Sequence, residues 1–133
     1  MENLAKRIGL LEDRENLREL MTRYAFLIDT GQSEEWADCF TLDGCFEVQR
    51  PDGDTRILRG RDQLVAFAQS RPSKETPDKH FTSQVSVVID GDSATSHCYF
   101  ALLSDIRNDP SLVFYGQYHD EFIRGADGDW RFS

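Results

Sequence analysis

Apolar side chains near the start of the chain recur with the three- and four-residue spacing of a helix. The stripe comprises Leu17, Leu20, Met21, Tyr24, Leu27 and Ile28. This spacing places them on one side of a helix, so the sequence predicts a helix over residues 13–30, with Asp13 as its N-cap and Gly31 just past its end. A shorter helix is predicted over residues 33–40, where Ser33 precedes two acids that suit the positive end of a helix dipole.

The rest of the chain alternates between short apolar runs and turn signals of the Asp-Gly type. A third helix is predicted to open at residues 60–62. Strands are predicted over residues 45–48, 55–59, 80–90, 93–106, 112–124 and 130–132. This order predicts an α+β domain whose helices pack on one face of a curved antiparallel sheet, and together they enclose a cone with a pocket at its mouth. We expect one domain over residues 1–133, and the end at residues 129–133 is typical of a strand that has just begun.

The strand that begins at His80 has two different sides. His80, Thr82 and Gln84 alternate on one side. Phe81, Val85, Val87 and Ile89 fall on the other. Because successive strand residues point to opposite faces, the pattern predicts that the polar side faces either a wet pocket or solvent.

The charge and the cysteine content of the chain limit the kinds of partner that the protein is expected to bind. The 133 residues carry 24 acids and 15 bases, a net charge of −9, which disfavours nucleic acid and anionic membranes. The sequence has no apolar run long enough for a membrane span, and from its N-terminal residues we expect no signal peptide. Three cysteines without CxxC spacing indicate free thiols in a reducing cytoplasm. We therefore predict a cytoplasmic protein with no metal site and no cofactor.

Two side chains could together form a general base. Asp29 ends an apolar helical run, and His80 opens a long strand. A carboxylate can orient and charge an imidazole even when the two are far apart in sequence. The alternatives are a surface aspartate that caps the turn before Gly31 and a structural strand histidine. His97 and His119 have no metal-pair spacing and are predicted to be structural.

Pocket walls are expected from aromatic and amide side chains on the predicted elements. The candidates are Tyr24, Phe40, Phe46, Phe67, Tyr99, Tyr115 and Gln117. Most aromatic residues at such spacings belong to the core, so we expect about half of them to touch a ligand. Tyr24 is the best placed, since it lies one turn before Asp29 on the same helix.

Several stretches of this chain together resemble the NTF2-like superfamily, specifically its SnoaL-like branch. They are residues 24–31 with 36–40, residues 43–46, residues 80–83, and residues 118–122 with 130–132. The resemblance covers nearly the whole chain and implies the cone-shaped α+β barrel. Within the superfamily, Asp29 and His80 fall where scytalone dehydratase and hexachlorocyclohexane dehydrochlorinase have their catalytic pair.

The resemblance also shows departures. Ile28 and Val48 stand where the dehydratase has tyrosines that polarise its substrate, and Ser104 stands near its second pocket histidine. Gln117, by contrast, matches the position of the dehydratase's pocket amide. Tyr24 replaces a lysine of the dehydrochlorinase.

The resemblance implies a cofactor-free lyase or isomerase that takes a proton from a small hydrophobic, cyclic, aromatic or polyketide-like substrate. Dehydration, dehydrohalogenation and isomerisation share one base and stay open. The alternative is a non-catalytic binder, or an accessory subunit like the small subunit of ring-hydroxylating dioxygenases. Since an exposed sheet face favours association, we expect a homodimer or homotrimer.

Overall fold

The N-terminal helix, α1 (Leu4–Asp29), packs its predicted apolar stripe against the sheet. The structure is a computed structural model that describes residues 3–71, 78–104 and 109–133. The predicted stripe is buried from Leu17 to Ile28, apart from the half-buried Leu27. The helix begins earlier than predicted because Asn3, not Asp13, is the N-cap, its side chain accepting the Ala5 N–H at 2.9 Å.

Asp13 has a different role from the predicted cap. It accepts hydrogen bonds from the guanidinium of Arg124 at 2.5 Å and from the indole N–H of Trp130 at 3.2 Å. These two donors come from the last two strands, so Asp13 fastens the middle of α1 to one end of the sheet. The helix therefore continues through this position without a cap.

The remaining elements follow the predicted order. They are α2 (Ser33–Ala37), β1 (Cys45–Gln49), β2 (Thr55–Arg59), α3 (Arg61–Gln69), β3 (Lys79–Asp90), β4 (Ser93–Ser104), β5 (Ser111–Arg124) and β6 (Trp130–Phe132). The second helix is shorter than predicted, and Ser33 is its first residue rather than its cap. The end of the predicted 93–106 strand lies outside the described residues.

The strands form a four-stranded antiparallel sheet in the order β3-β4-β5-β6, with β1 and β2 as a separate hairpin. The inner face of the sheet packs against α1 and carries the buried Cys98, Phe122 and Phe132. Because side chains alternate along a strand, even-numbered residues of β5 such as Phe122 face inward and odd-numbered ones face outward. We call this the parity of a residue; the outward set includes Tyr115, which is 77% exposed. The predicted α+β architecture, with helices on one face of an antiparallel sheet, is confirmed.

A bulge in β3 changes which residues share a face. Ser83 pairs with Tyr99 and Ser86 pairs with His97, so three residues along β3 are matched by two residues along β4. Gln84, inside the bulge, has a φ of 51°. The extra residue reverses the parity of the strand, which corrects the prediction that His80 and Val87 lie on opposite sides: both lie on the inner face.

Candidate functional site

Asp29 and His80 meet where the end of α1 crosses the start of β3. The His80 backbone N–H donates to Asp29 Oδ2 at 2.9 Å, and His80 Nδ1 lies 2.5 Å from Asp29 Oδ1. One carboxylate thus holds both the main chain and the ring of the same histidine. The two side chains are 5% and 7% exposed, respectively, so little water competes for these bonds.

The contact assigns the two ring nitrogens of His80. An ionised carboxylate only accepts hydrogen bonds, so Nδ1 carries the proton that it shares with Asp29. In the neutral ring, Nε2 then holds the lone pair. Nε2, which does not face Asp29, is therefore the nitrogen that can accept a proton.

A cavity lies beside this pair, between the helices and the inner face of the sheet. The lining residues of inner-face parity and those from the helices and the hairpin include Met21, Tyr24, Phe40, Cys45, Phe46, Thr82, Ser96, Tyr118, Asp120 and Phe132. Residues of outer-face parity also line it, namely Ser86, Val88, Thr95, His97, Gln117, His119 and Glu121. Asp29 and His80 are not part of this wall. Thr82, two residues beyond His80 on the same face of β3, is the wall residue next to the pair along that strand.

Part of the cavity lining is aromatic, because α1 and β5 place rings opposite each other. The Tyr24 ring contacts the rings of Tyr118 at 6.2 Å and Phe132 at 5.4 Å between centroids. Tyr118 stacks on Phe100 at 4.2 Å. Gly116 makes this stack possible, since a Cβ there would lie 2.8 Å from the Phe100 ring.

One side of the cavity is polar, and we call Tyr24, Tyr118 and Asp120 the tyrosine–aspartate cluster. The Tyr24 and Tyr118 rings are in contact, and burial, reinforced by Asp120, raises the pKa of both hydroxyls. Burial also raises the pKa of the Asp120 carboxyl to about 6, against a small opposing effect of its hydrogen bond from Ser96. That bond is long, at 3.4 Å.

A SnoaL-like domain model matches residues 10–133, which is almost the whole chain. The chain belongs to the SnoaL-like domain family. The cone-shaped arrangement expected from the sequence resemblance is the fold of this family's structural neighbours, among them an NTF2-like protein with a cystatin-like fold from Novosphingobium aromaticivorans. That protein is 28% identical, has a TM-score of 0.80, and is matched over 99% of this chain and 86% of its own.

Two further relatives bear on function. The SnoaL-like domain is 25% identical to the small subunit of anthranilate 1,2-dioxygenase from Burkholderia cepacia, over 82% of this chain and 76% of that subunit. It is also 30% identical to Rv3472, a Mycobacterium tuberculosis protein of unknown function, with a TM-score of 0.80 over 92% of this chain and 72% of that one. These matches establish ancestry and fold, and they leave the reaction open.

The structure brings four of the seven predicted wall residues of this SnoaL-like domain to the cavity, namely Tyr24, Phe40, Phe46 and Gln117. Phe67 lies behind the aromatic ones, packed on Trp36 and Phe46 at 5.9 and 5.5 Å between ring centroids. It contributes to the aromatic core and is not part of the wall.

The expectation that Tyr99 and Tyr115 line the cavity is corrected, since neither is among its lining residues. Both have the outer-face parity, because Tyr99 pairs with Gln117 while Cys98 pairs with the inward Tyr118. Gln117 shares that parity but is a lining residue, and its Oε1 lies 2.6 Å from His97 Nε2. An alternating strand offers aromatic residues on both faces here, so residue type did not reveal which set faces inward.

Sequence reasoning missed Tyr118, Asp120 and Ser96 as wall residues. A signal was present, because Tyr118 and Asp120 share their parity with Phe122, a large apolar residue near the end of the same strand. A polar residue two positions from a buried anchor faces the same interior. The obstacle was that the neighbouring His119 and Glu121 are equally polar.

Other kinds of site find no support in the described part of the chain. No helix among the described residues is long and apolar enough to cross a membrane. Within residues 3–71, 78–104 and 109–133, no three His, Cys, Asp or Glu side chains are grouped so that they could hold a metal ion. His97 and His119 stack on each other on the outer face, with centroids 4.4 Å apart.

Proposed function

We propose that this SnoaL-like domain is a cofactor-free lyase or isomerase that removes a proton from carbon of a small hydrophobic cyclic or aromatic substrate. The observation that carries the proposal is the double hydrogen bond from His80 to Asp29, with heavy-atom distances of 2.9 and 2.5 Å. An imidazole whose Nδ1 is held by a buried carboxylate is the arrangement of a positioned general base.

The reaction follows from this arrangement. His80 Nε2 takes a proton from a carbon next to an activating group, and the electron pair of the broken C–H bond moves toward that group. The pair then either expels hydroxide or halide from the neighbouring carbon or is reprotonated at another position. Asp29 stabilises the imidazolium that forms and keeps its ring in place. Substrate in the cavity would reach Nε2 past Thr82.

A non-catalytic role is the second candidate, and one observation favours it. The 25% identity to the anthranilate 1,2-dioxygenase small subunit covers most of both chains. An accessory subunit needs a large surface for association, and it does not need a general base that substrate can reach. The shielding of Asp29 and His80 from solvent agrees with this reading as well as with catalysis.

Association and location are further parts of the proposal. The outer face exposes large apolar side chains, including Phe81, Val88 and Tyr115, and burying them would stabilise a homodimer or homotrimer. Light scattering on the eluting protein would give the oligomeric state. The three cysteines are free thiols, which supports a cytoplasmic location.

The test of the proposed reaction is a screen for proton exchange. Cyclic ketones, hydroxyarenes and polyketide-like phenols are incubated with the protein in D2O, and deuterium incorporation or elimination is followed by NMR. His80→Gln should lower the rate on any active compound by roughly 10²-fold or more. Tyr115→Phe changes an exposed outer-face residue that does not line the cavity and should leave the rate unchanged. If both variants turn over like the unmodified protein, the accessory-subunit reading is preferred.

A further inference from the structure

The first turns of α1 carry an apolar stripe that does not face the sheet. Leu4, Ile8 and Leu11 are 65%, 46% and 67% exposed. Their spacing of four and then three residues lines them up on one side of the helix. With 3.6 residues per turn, this side points roughly 150° away from the buried side of α1, which includes Leu17 and Tyr24. The packing of the domain therefore does not account for the stripe.

The stripe has the heptad pattern of a coiled coil. In a heptad lettered a to g, Ile8 takes position a, and Leu4 and Leu11 take the preceding and the following d positions. A β-branched residue at a with leucine at d favours two parallel strands over larger assemblies. A single exposed leucine is ordinary on a protein surface, whereas a regular row of three apolar residues marks a contact surface for another helix.

Opposite charges border the stripe on its two sides. Arg7 takes position g and Glu12 takes position e, and both are exposed. When two identical helices pair in parallel, g of one helix faces the following e of the other, so Arg7 of each copy would face Glu12 of the other copy. An antiparallel pair would instead bring the same side of each helix together and set the two arginines near each other. The charges therefore favour a second copy of this chain, in parallel, as the partner.

The stripe ends where the sequence places a charge on its line. Glu15 takes the next a position, where it would face Glu15 of the second copy, and like charges so placed repel each other. The contact thus covers residues 4–12, and the helices separate beyond it and leave room for the two domains. Because three apolar side chains per copy make a small contact, the pairing should be reversible and depend on protein concentration.

A membrane surface is another common partner of an exposed amphipathic helix, and it fits this stripe less well. Helices that lie on membranes carry mainly lysine and arginine on their polar side. Here both signs of charge border the stripe, and the chain as a whole has a net charge of −9, which anionic lipid repels.

We propose that residues 4–12 of α1 pair in parallel with the same residues of a second copy of this chain. Ile8 and the two leucines form the apolar seam, and two Arg7–Glu12 ion pairs border it. Because α1 packs on the inner face of the sheet, this contact is separate from the association proposed for the outer face. It is also independent of the proposed reaction.

Disulfide trapping tests the pairing and its direction. In a parallel pair the d positions of one level are neighbours, so Leu4→Cys should form a disulfide-linked dimer on mild oxidation. It should do so roughly 10-fold or more faster than Asn16→Cys, an exposed control on another side of the helix, because paired thiols meet at a high effective concentration. Non-reducing gels give the rates, and the unmodified protein gives the background from the natural cysteines.

Two results of this experiment would overturn the inference. Equal rates for Leu4→Cys and Asn16→Cys would exclude the contact. Linkage of Leu4→Cys only after mixing with Leu11→Cys would show that the helices are antiparallel. All three positions are exposed, so these substitutions leave the packed core unchanged.

A charge exchange tests the ion pairs, with dissociation constants measured by sedimentation at several protein concentrations. Leu11→Glu should abolish the seam and so give the assembly that the sheet supports alone; an unchanged assembly would overturn the contact. Arg7→Glu and Glu12→Arg should each weaken the helix contact roughly 5-fold or more, since each turns two attractions into repulsions. The double exchange should restore it.

Glu34→Arg, which makes the same charge change at an exposed position of α2, is the control for this exchange and should have no effect. A double variant as weak as the single ones would overturn the pairing of Arg7 with Glu12.

A strengthening substitution completes the test. Glu15→Leu should tighten the contact roughly 10-fold or more, because it removes the facing like charges and extends the seam by one turn. Asn16→Leu adds the same side chain beside the seam and should give no such gain. A Glu15→Leu protein that associates no more tightly than the unmodified one would contradict the proposed register.

Discussion

Asp29 and Asp120 are two shielded carboxyl groups on the inner side of one sheet, and their surroundings differ sharply. Both oxygens of Asp29 are bonded to His80, at 2.9 and 2.5 Å. Asp120 has one hydrogen bond of 3.4 Å and two tyrosines as neighbours, and burial raises its pKa to about 6. Both oxygens of the Asp29 carboxyl thus have hydrogen-bond partners, whereas the Asp120 carboxyl beside the cavity is only partly hydrogen-bonded.

The difference indicates a division of labour. A satisfied carboxyl positions another side chain and gains little from meeting a ligand. An unsatisfied carboxyl in a cavity wall lowers the stability of the empty protein, and a ligand that supplies the missing hydrogen bond removes that penalty. Substitutions at the two aspartates should therefore have opposite consequences.

The largest effect should come from Asp29. Asp29→Asn keeps the shape but removes the charge that stabilises the imidazolium, so turnover of a substrate found in the exchange screen should fall by ~10²–10⁴-fold. Asp43→Asn, at an exposed aspartate, is the control. Because Asp29 and His80 act as one unit, Asp29→Asn combined with His80→Gln should cost little more than either change alone. Fully additive losses would show that the two residues work independently.

A smaller effect of opposite sign is expected from Asp120. Its pKa is raised to about 6 from 3.8, so the folded protein binds more protons than the unfolded chain between these two values. The stability contributed by this group therefore rises as the pH falls from about 6 to about 4, and above that window the ionised carboxyl lowers the free energy of unfolding by on the order of 1–3 kcal/mol.

Asp120→Asn removes the titrating group and should raise the free energy of unfolding by about 1–3 kcal/mol at pH 7.5, with the gain disappearing below about pH 4. Urea denaturation at both pH values measures it. Glu121→Gln, on the outer face of the same strand, should give no comparable gain at pH 7.5. A less stable Asp120→Asn protein at pH 7.5 would mean that the carboxylate is held by favourable contacts, and the contrast with Asp29 would be lost.

The smallest effect concerns the bulge that puts His80 on the same face as Asp120. Gln84 has a φ of 51°, which is unfavourable for a residue with a side chain. Gln84→Gly should raise the free energy of unfolding by about 0.5–1 kcal/mol. Gln84→Ala keeps the backbone penalty and serves as control, so it should bring no gain. Thermal melts of the two variants decide the matter, and equal melting temperatures would show that the bulge is not strained.

The sequence by itself determined the order of the elements and the pattern of the first helix. A stripe at helical spacing has only one way to be buried, so Leu17 to Ile28 were identified correctly as its buried side. The Asp-Gly turns fixed the junctions between strands for the same local reason. The pairing of Asp29 with His80 was predicted from residue type and resemblance, and the contact is present.

Only the tertiary structure decided which face each strand residue occupies. One extra residue at Gln84 reverses the parity of β3, and periodicity cannot reveal a bulge that depends on the partner strand. The same limit explains why Tyr99 and Tyr115 were expected in the cavity while Tyr118 and Asp120 were missed. Inward and outward sets on β5 contain similar residue types, and packing against α1, which joins residues distant in sequence, selects between them.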